Sequence, residues 1–138
     1  MINQLLSPPP LTSRLPILQH LAKAYKLWQD SLQHFPQKSR FTLGAKIDEC
    51  FIETLEYIFL ASITSREKKL PYLERATAKF DLLKFFLQLA WEIKALDNNK
   101  YSLLMEPLNS IGKMLGGWQK NILSQTQNPS PKKGSGFM

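Results

Sequence analysis

The residues best able to do chemistry in this sequence are its cations, and they come in groups. Lys23 and Lys26 fall on one polar helical face. Lys38, Arg40 and Lys46 gather at the entry to a second helical segment. Arg66, Lys68 and Lys69 run through a polar connector into Arg75 and Lys79, which are four apart and so share a helix face. Several cations on one surface neutralise phosphates, with an affinity that falls steeply with salt. Glu67, Glu74 and Asp81 interleave with them, so a solvated charged face is the plain alternative. A ring of identical subunits would join weak patches into a continuous belt and add avidity.

The other chemistry-bearing residues are sparse. His20 and His34 lie 14 residues apart, near the polar side or the end of a helix, and read as surface or boundary residues. No Glu-x-x-His pair of the di-iron bundle type occurs, and no metal or cofactor is expected. Arg14 and His20 meet the Arg-x(4–6)-His spacing of some helical ribonucleases. The pair straddles Pro16 at a helix start, so coincidence is the better reading. Cys50 sits in mid-helix without a neighbouring histidine and reads as a small buried hydrophobe rather than a thiol nucleophile. Asp48, Glu49, Glu53 and Glu56 read as an exposed acidic face. Gly112, Gly116 and Gly117 lack the Lys-Ser/Thr of a phosphate-binding loop. Catalysis is not expected.

Four amphipathic segments must position these residues. The first, from about Leu15 to Phe35, carries Ile17, Leu21, Tyr25, Trp28, Leu32 and Phe35 at spacings of three and four. Pro16 suits its first turn and Pro36 ends it. The second, from about Ser39 to Ser62, has Ser39 as its expected cap. Gly44, Ile47, Phe51, Leu55 and Ile58 form its stripe, with Phe41, Ile52 and Phe59 expected to widen it. The third, from about Lys69 to Leu96, carries two stripes. Leu73, Phe80, Leu83, Leu87, Ala90 and Trp91 make one; Leu82, Phe85, Phe86, Leu89, Ile93 and Leu96 make the other. A helix apolar over most of its circumference is buried on more than one side, which points to a subunit interface on its C-terminal half. After a turn at Asp97–Lys100, the fourth segment runs from about Tyr101 to Ser124, with Leu104, Leu108, Ile111, Leu115, Trp118 and Ile122 inward. Pro107 predicts a kink or a restart within it. Short polar connectors make this an all-α, antiparallel up-down-up-down four-helix bundle over residues 15–124. Flexible segments at 1–14 and 125–138 flank it.

Bulk properties agree. The 138 residues suit one domain with a real core. A hydrophobic content of 43% excludes a disordered chain, and no apolar run approaches the ~20 residues of a membrane span. The single cysteine gives no hint of an oxidising compartment, and no signal peptide is apparent, so the cytoplasm is the expected location. The net charge of +7 points to an anionic partner.

The stretch Ile111-Gly-Lys-Met-Leu-Gly-Gly-Trp-Gln-Lys120 spends three glycines in helix-compatible sequence, at about 1 kcal/mol each. Close approach of a neighbour, or a local helix end, would explain them. With Lys100-Tyr-Ser upstream, this stretch resembles the last helix of the accessory variability determinant (Avd) family of diversity-generating retroelements. Phe35-Pro-Gln-Lys-Ser-Arg-Phe-Thr-Leu-Gly44 resembles that family's Phe-Pro-Lys-x-x-Arg-x-x-Leu-Gly junction. Leu73-Glu-Arg-Ala-x-x-Lys-x-Asp-x-Leu-Lys84 fits its third helix. Pro107 and Gln37 depart from the family's pattern. The related bundles encoded in ribosomal intervening sequences usually carry a Ser-Ile-Pro-x-Asn-Ile-Ala-Glu-Gly-like stretch, which is not found here; a structural bundle of that type is the alternative.

The resemblance implies a ring-like homo-oligomer, a pentamer. It implies a non-catalytic partner of a reverse transcriptase and its template RNA, or DNA, in mutagenic copying. Arg75 and Lys79 match basic positions implicated in partner binding in that family. Lys23, Lys26, Arg40 and Lys46 join them as binding candidates on charge alone.

Overall fold

The computed structural model describes residues 15–127. The flexible segment expected at 1–14 lies outside the described residues; of the one expected at 125–138, residues 125–127 instead continue the last helix, and the rest lies outside the described residues. Four helices form a bundle: α1 (Pro16–Leu32), α2 (Ala45–Ile63), α3 (Lys69–Glu92) and α4 (Asn98–Gln127). No strand occurs among the described residues. α2 packs most extensively on α3, and α4 closes the bundle against both α1 and α3. Cross-helix contacts fix the antiparallel order. Tyr25 reaches Asp48, Lys79 reaches Glu53, and Thr77 reaches Gln119.

α1 starts as its sequence dictates, with Pro16 in the first turn, where a missing N–H costs nothing. It ends at Leu32, earlier than the stripe suggests, yet Phe35 is still buried and stacks edge-on against Trp28. Entry to α2 runs through one helical turn (Gln37–Ser39) and a π-turn (Arg40–Gly44). Ser39 makes no side-chain cap there, contrary to expectation: the backbone is already coiled on both sides of it. Gly44 is buried under Leu32 and Phe35, and an added Cβ would come within 3.1 Å of Leu32 Cδ1.

α3 stops at Glu92, four residues before the predicted end. Lys94 takes a positive φ of 67°, and the amides of Ala95 and Leu96 fold back to the Ala90 carbonyl at 2.8 and 3.1 Å. That closure satisfies the last carbonyls and turns Leu96 into the core. Asp97 then caps α4: its Oδ1 accepts the Lys100 backbone N–H at 2.8 Å, which holds the Asp97 carboxyl below its usual range. The predicted turn at 97–100 is therefore the first turn of a helix. α4 passes Pro107 without a restart. Leu104 and Leu108 on either side are both fully buried, and a break would lift one of them off the core.

The core holds the inward stripes of all four helices, with Trp28, Phe51 and Phe80 its largest members. Two expectations fail. Phe41, Ile52 and Phe59 do not widen the buried stripe of α2; they are exposed, Phe41 by 78%. Trp91 leaves the inward α3 stripe to stack on Tyr101 and bond Asn98. In the second stripe Leu96 is buried and Phe86 packs partly buried against the core. Leu82, Phe85, Leu89 and Ile93 point outward, with Phe85 59% exposed.

Candidate nucleic-acid interface

The six cations singled out by sequence do not form one cluster, and the structure sorts them by what already holds them. Lys79 crosses from α3 to α2 and pairs with Glu53 at 3.0 Å; both side chains are about 30% exposed. The hydrogen bond to Glu53 raises the Lys79 pKa. Lys46 pairs with Glu49 at 3.1 Å on the surface of α2. Arg40 donates through its guanidinium to the Gln33 carbonyl at 2.9 Å, which ties the junction to the end of α1. Arg75 is exposed, with its guanidinium over the Tyr72 ring at 5.9 Å. Lys23 and Lys26 are exposed on α1 and make no ion pair among the described residues. So three of the six carry structural partners and three stand open. Arg75 and Lys79, which share a helix face, differ: one faces solvent and the other is spent on α2.

The acidic face expected on α2 is also divided. Glu49 and Glu56 are exposed. Asp48 instead accepts two hydrogen bonds on one oxygen, from Tyr25 Oη at 2.9 Å and Trp28 Nε1 at 3.1 Å. This clip joins α1 to α2; burial, together with the hydrogen bond to Asp48, raises the Tyr25 pKa. No regular period marks it. The only signal available was that Asp48 falls one turn into α2, facing two aromatic donors.

Little nucleophilic or metal chemistry is assembled. Cys50 is 1% exposed, and burial pushes its thiol pKa up, so the thiolate is scarce. His34 is exposed beside the Asp30 carbonyl, and His20 is half-buried. Arg14, the other half of the ribonuclease-like spacing, lies outside the described residues. Among the described residues no three His, Cys, Asp or Glu side chains converge on a metal-sized site. An open notch lined by Trp91, Glu92, Lys94, Leu96, Asp97 and Asn98 lies at the α3–α4 corner. Its polar groups are engaged in holding that corner: Asp97 caps α4, and Asn98 accepts the Trp91 indole N–H at 2.6 Å.

Sequence reasoning under-weighted a second set of cations. Arg66, in a short 3-10 turn, donates to Gln125 of α4. Lys69 donates to the Ala61 carbonyl at 2.5 Å and lies 5.8 Å from the centroid of the Trp118 ring. Lys68 and Lys120 beside them are exposed. The connector's charge run was visible in the sequence; its meeting with the far end of α4 is a product of the fold.

The glycines divide in the same way. An added Cβ at Gly112 would come within 3.3 Å of the Phe80 ring, so this glycine does allow close packing of α3 on α4. Gly116 and Gly117 face open space, with nothing within 4 Å, and the helix does not end at them.

No described helix is long and apolar enough to cross a membrane. Comparison with protein families matches residues 15–122, well over half of the chain, to the family described as bAvd-like. A search of curated proteins finds no match.

Proposed function

The chain belongs to the bAvd-like family, and from that premise we propose that it is the non-catalytic accessory subunit of a diversity-generating retroelement. In this reading it binds a reverse transcriptase and its template RNA, or DNA, through a basic surface. It supports mutagenic copying without polymerising anything itself. The observation that carries the reading is the family match, which covers every helix of the bundle rather than one motif.

Two features of the fold support it. The net charge of +7 suits a polyanionic partner. The outward apolar residues of α2 and α3 (Ile52, Phe59, Leu82, Phe85 and Leu89) leave large hydrophobic side chains exposed on the protomer. Association of identical subunits through that face, into the pentamer the family implies, would cover it and multiply each subunit's charge. The surroundings of such a complex are cytoplasmic, and the protein acts off the membrane. The segments 1–14 and 128–138 act as appendages to the bundle.

Co-expression with the reverse transcriptase encoded beside it, together with the template RNA, tests the assignment. Co-purification of all three, with a light-scattering mass for the protein alone of five protomers, is the expected result. A monomer at micromolar concentration with no reverse transcriptase retained would refute it and would favour a structural bundle of the ribosomal intervening-sequence type.

A further inference from the structure

A plane through the Glu53–Lys79 ion pair and the Gly112–Phe80 contact divides the bundle. The half containing the α2–α3 connector and the end of α4 holds Arg66, Lys68, Lys69, Arg75 and Lys120, and Lys113 and Asp81 each lie one residue from the plane.

Pairing is lopsided across this plane. Three ion pairs occur among the described residues: Lys46–Glu49, Lys79–Glu53 and Lys100–Asp97. Two lie in the far half and one on the dividing plane. Arg66, Lys68, Lys69, Arg75, Lys113 and Lys120 make no ion pair among the described residues. Open cations can neutralise phosphates and release the counterions condensed on a polyanion, whereas paired cations must first give up a partner.

The pole also carries rings and open backbone. Lys69 is stacked near Trp118 and Arg75 near Tyr72. Cations interleaved with half-buried aromatics suit a single strand, whose phosphates and bases are both accessible. Lys113 and Lys120 flank Gly116 and Gly117, where α4 presents bare backbone to solvent. A sugar–phosphate chain lying there would meet cations on both sides and no side chain between.

We propose that single-stranded RNA docks on this connector pole, across Lys68, Lys113 and Lys120, rather than along the α1 face bearing Lys23 and Lys26. Arg66 and Lys69 shape the site by tying the connector to α4 and α2. The inference rests on the RNA-binding reading above and assigns that binding to one end of the subunit.

The test is fluorescence anisotropy with a labelled single-stranded RNA, on the full chain, across a salt series. Three proteins are compared: wild type, Lys68→Gln/Lys120→Gln, and Lys23→Gln/Lys26→Gln. Both pairs are exposed and hold no partner, so circular dichroism and light scattering should match wild type for all. The pole pair is expected to weaken binding roughly ten-fold and to flatten the salt slope by about 0.7 for each phosphate left without its cation. The α1 pair should stay within about two-fold. The opposite ranking, or equal binding by all three, overturns the placement while leaving the RNA reading intact. No binding by wild type at low salt overturns the RNA reading itself. Displacement of the RNA by polyglutamate at equal charge overturns the choice of a nucleic acid over an acidic protein.

Discussion

Leu83 and Phe85 stand two residues apart on α3 and occupy opposite environments: Leu83 is fully buried, while Phe85 is 59% exposed. Each belongs to an apolar series at helical spacing, and the two series look equally good as core. The first packs against α2 and α4. The second, apart from Phe86 and Leu96, is exposed on the protomer. The difference shows that periodicity reports how many faces of a helix avoid water, and says nothing about which face the protomer itself covers.

The largest expected effect breaks this pair apart. Leu83→Ala should cost about 3 kcal/mol, because neighbours held in a close-packed core cannot collapse into the space. Urea unfolding should report that loss equally at every protein concentration. Phe85→Ala should act through subunit association instead, so its effect should grow with concentration and its light-scattering mass should fall. A concentration-independent loss at Phe85, with the mass unchanged, would mean that the outward stripe is not a subunit contact.

Much of this was readable in the sequence. The four helices, the inward stripes of α1 and α4, the burial of Cys50 and the N-terminal role of Pro16 all follow from spacing and from proline chemistry. What was not readable depended on the partner of each residue. Asp48 looks like any other acid of α2 until α1 brings Tyr25 and Trp28 beside it. Lys79 looks as available as Arg75 until Glu53 takes it. Trp91 fits the inward stripe by number and is drawn off it by Tyr101 and Asn98. Pro107 predicts a kink or a restart, yet α4 runs through it without a restart, with Leu104 and Leu108 both buried. Local rules describe what a residue prefers, and these residues were settled by neighbours that only the folded chain brings together.

The α4 glycines give a smaller contrast with a change of sign. At Gly116 and Gly117 a methyl group meets nothing within 4 Å, so alanine should stabilise the helix by about 1 kcal/mol at each. At Gly112 the same methyl sits 3.3 Å from Phe80, a ring that is itself buried. Alanine there should lose most or all of that helix gain to the displaced ring. Thermal unfolding of the three single variants gives the ranking directly. Equal stabilisation at all three would show that the α3–α4 contact is looser than the Gly112–Phe80 distance implies. If the stabilised Gly116 and Gly117 variants also lose RNA, the bare backbone of α4 is kept for that contact at the expense of stability.

The smallest expected effect separates two ion pairs on α2. Lys46–Glu49 lies open, with side chains 45% and 53% exposed, and Lys46→Met should change stability by only a few tenths of a kcal/mol. Lys79–Glu53 spans two helices and is more sheltered, so Lys79→Met should cost more, up to about 1 kcal/mol. Its pH dependence identifies the source. The hydrogen bond to Glu53 raises the Lys79 pKa above 10.5 in the folded protein. A group whose folded pKa is raised contributes fully below its unfolded value and loses that contribution as pH climbs through the folded one. Wild type should therefore lose stability above pH 10.5 more steeply than Lys79→Met, and the two curves should converge at the alkaline end. Curves that stay parallel would assign the loss to the packing of the lysine stem between α2 and α3, leaving its charge with no role in holding the two helices together.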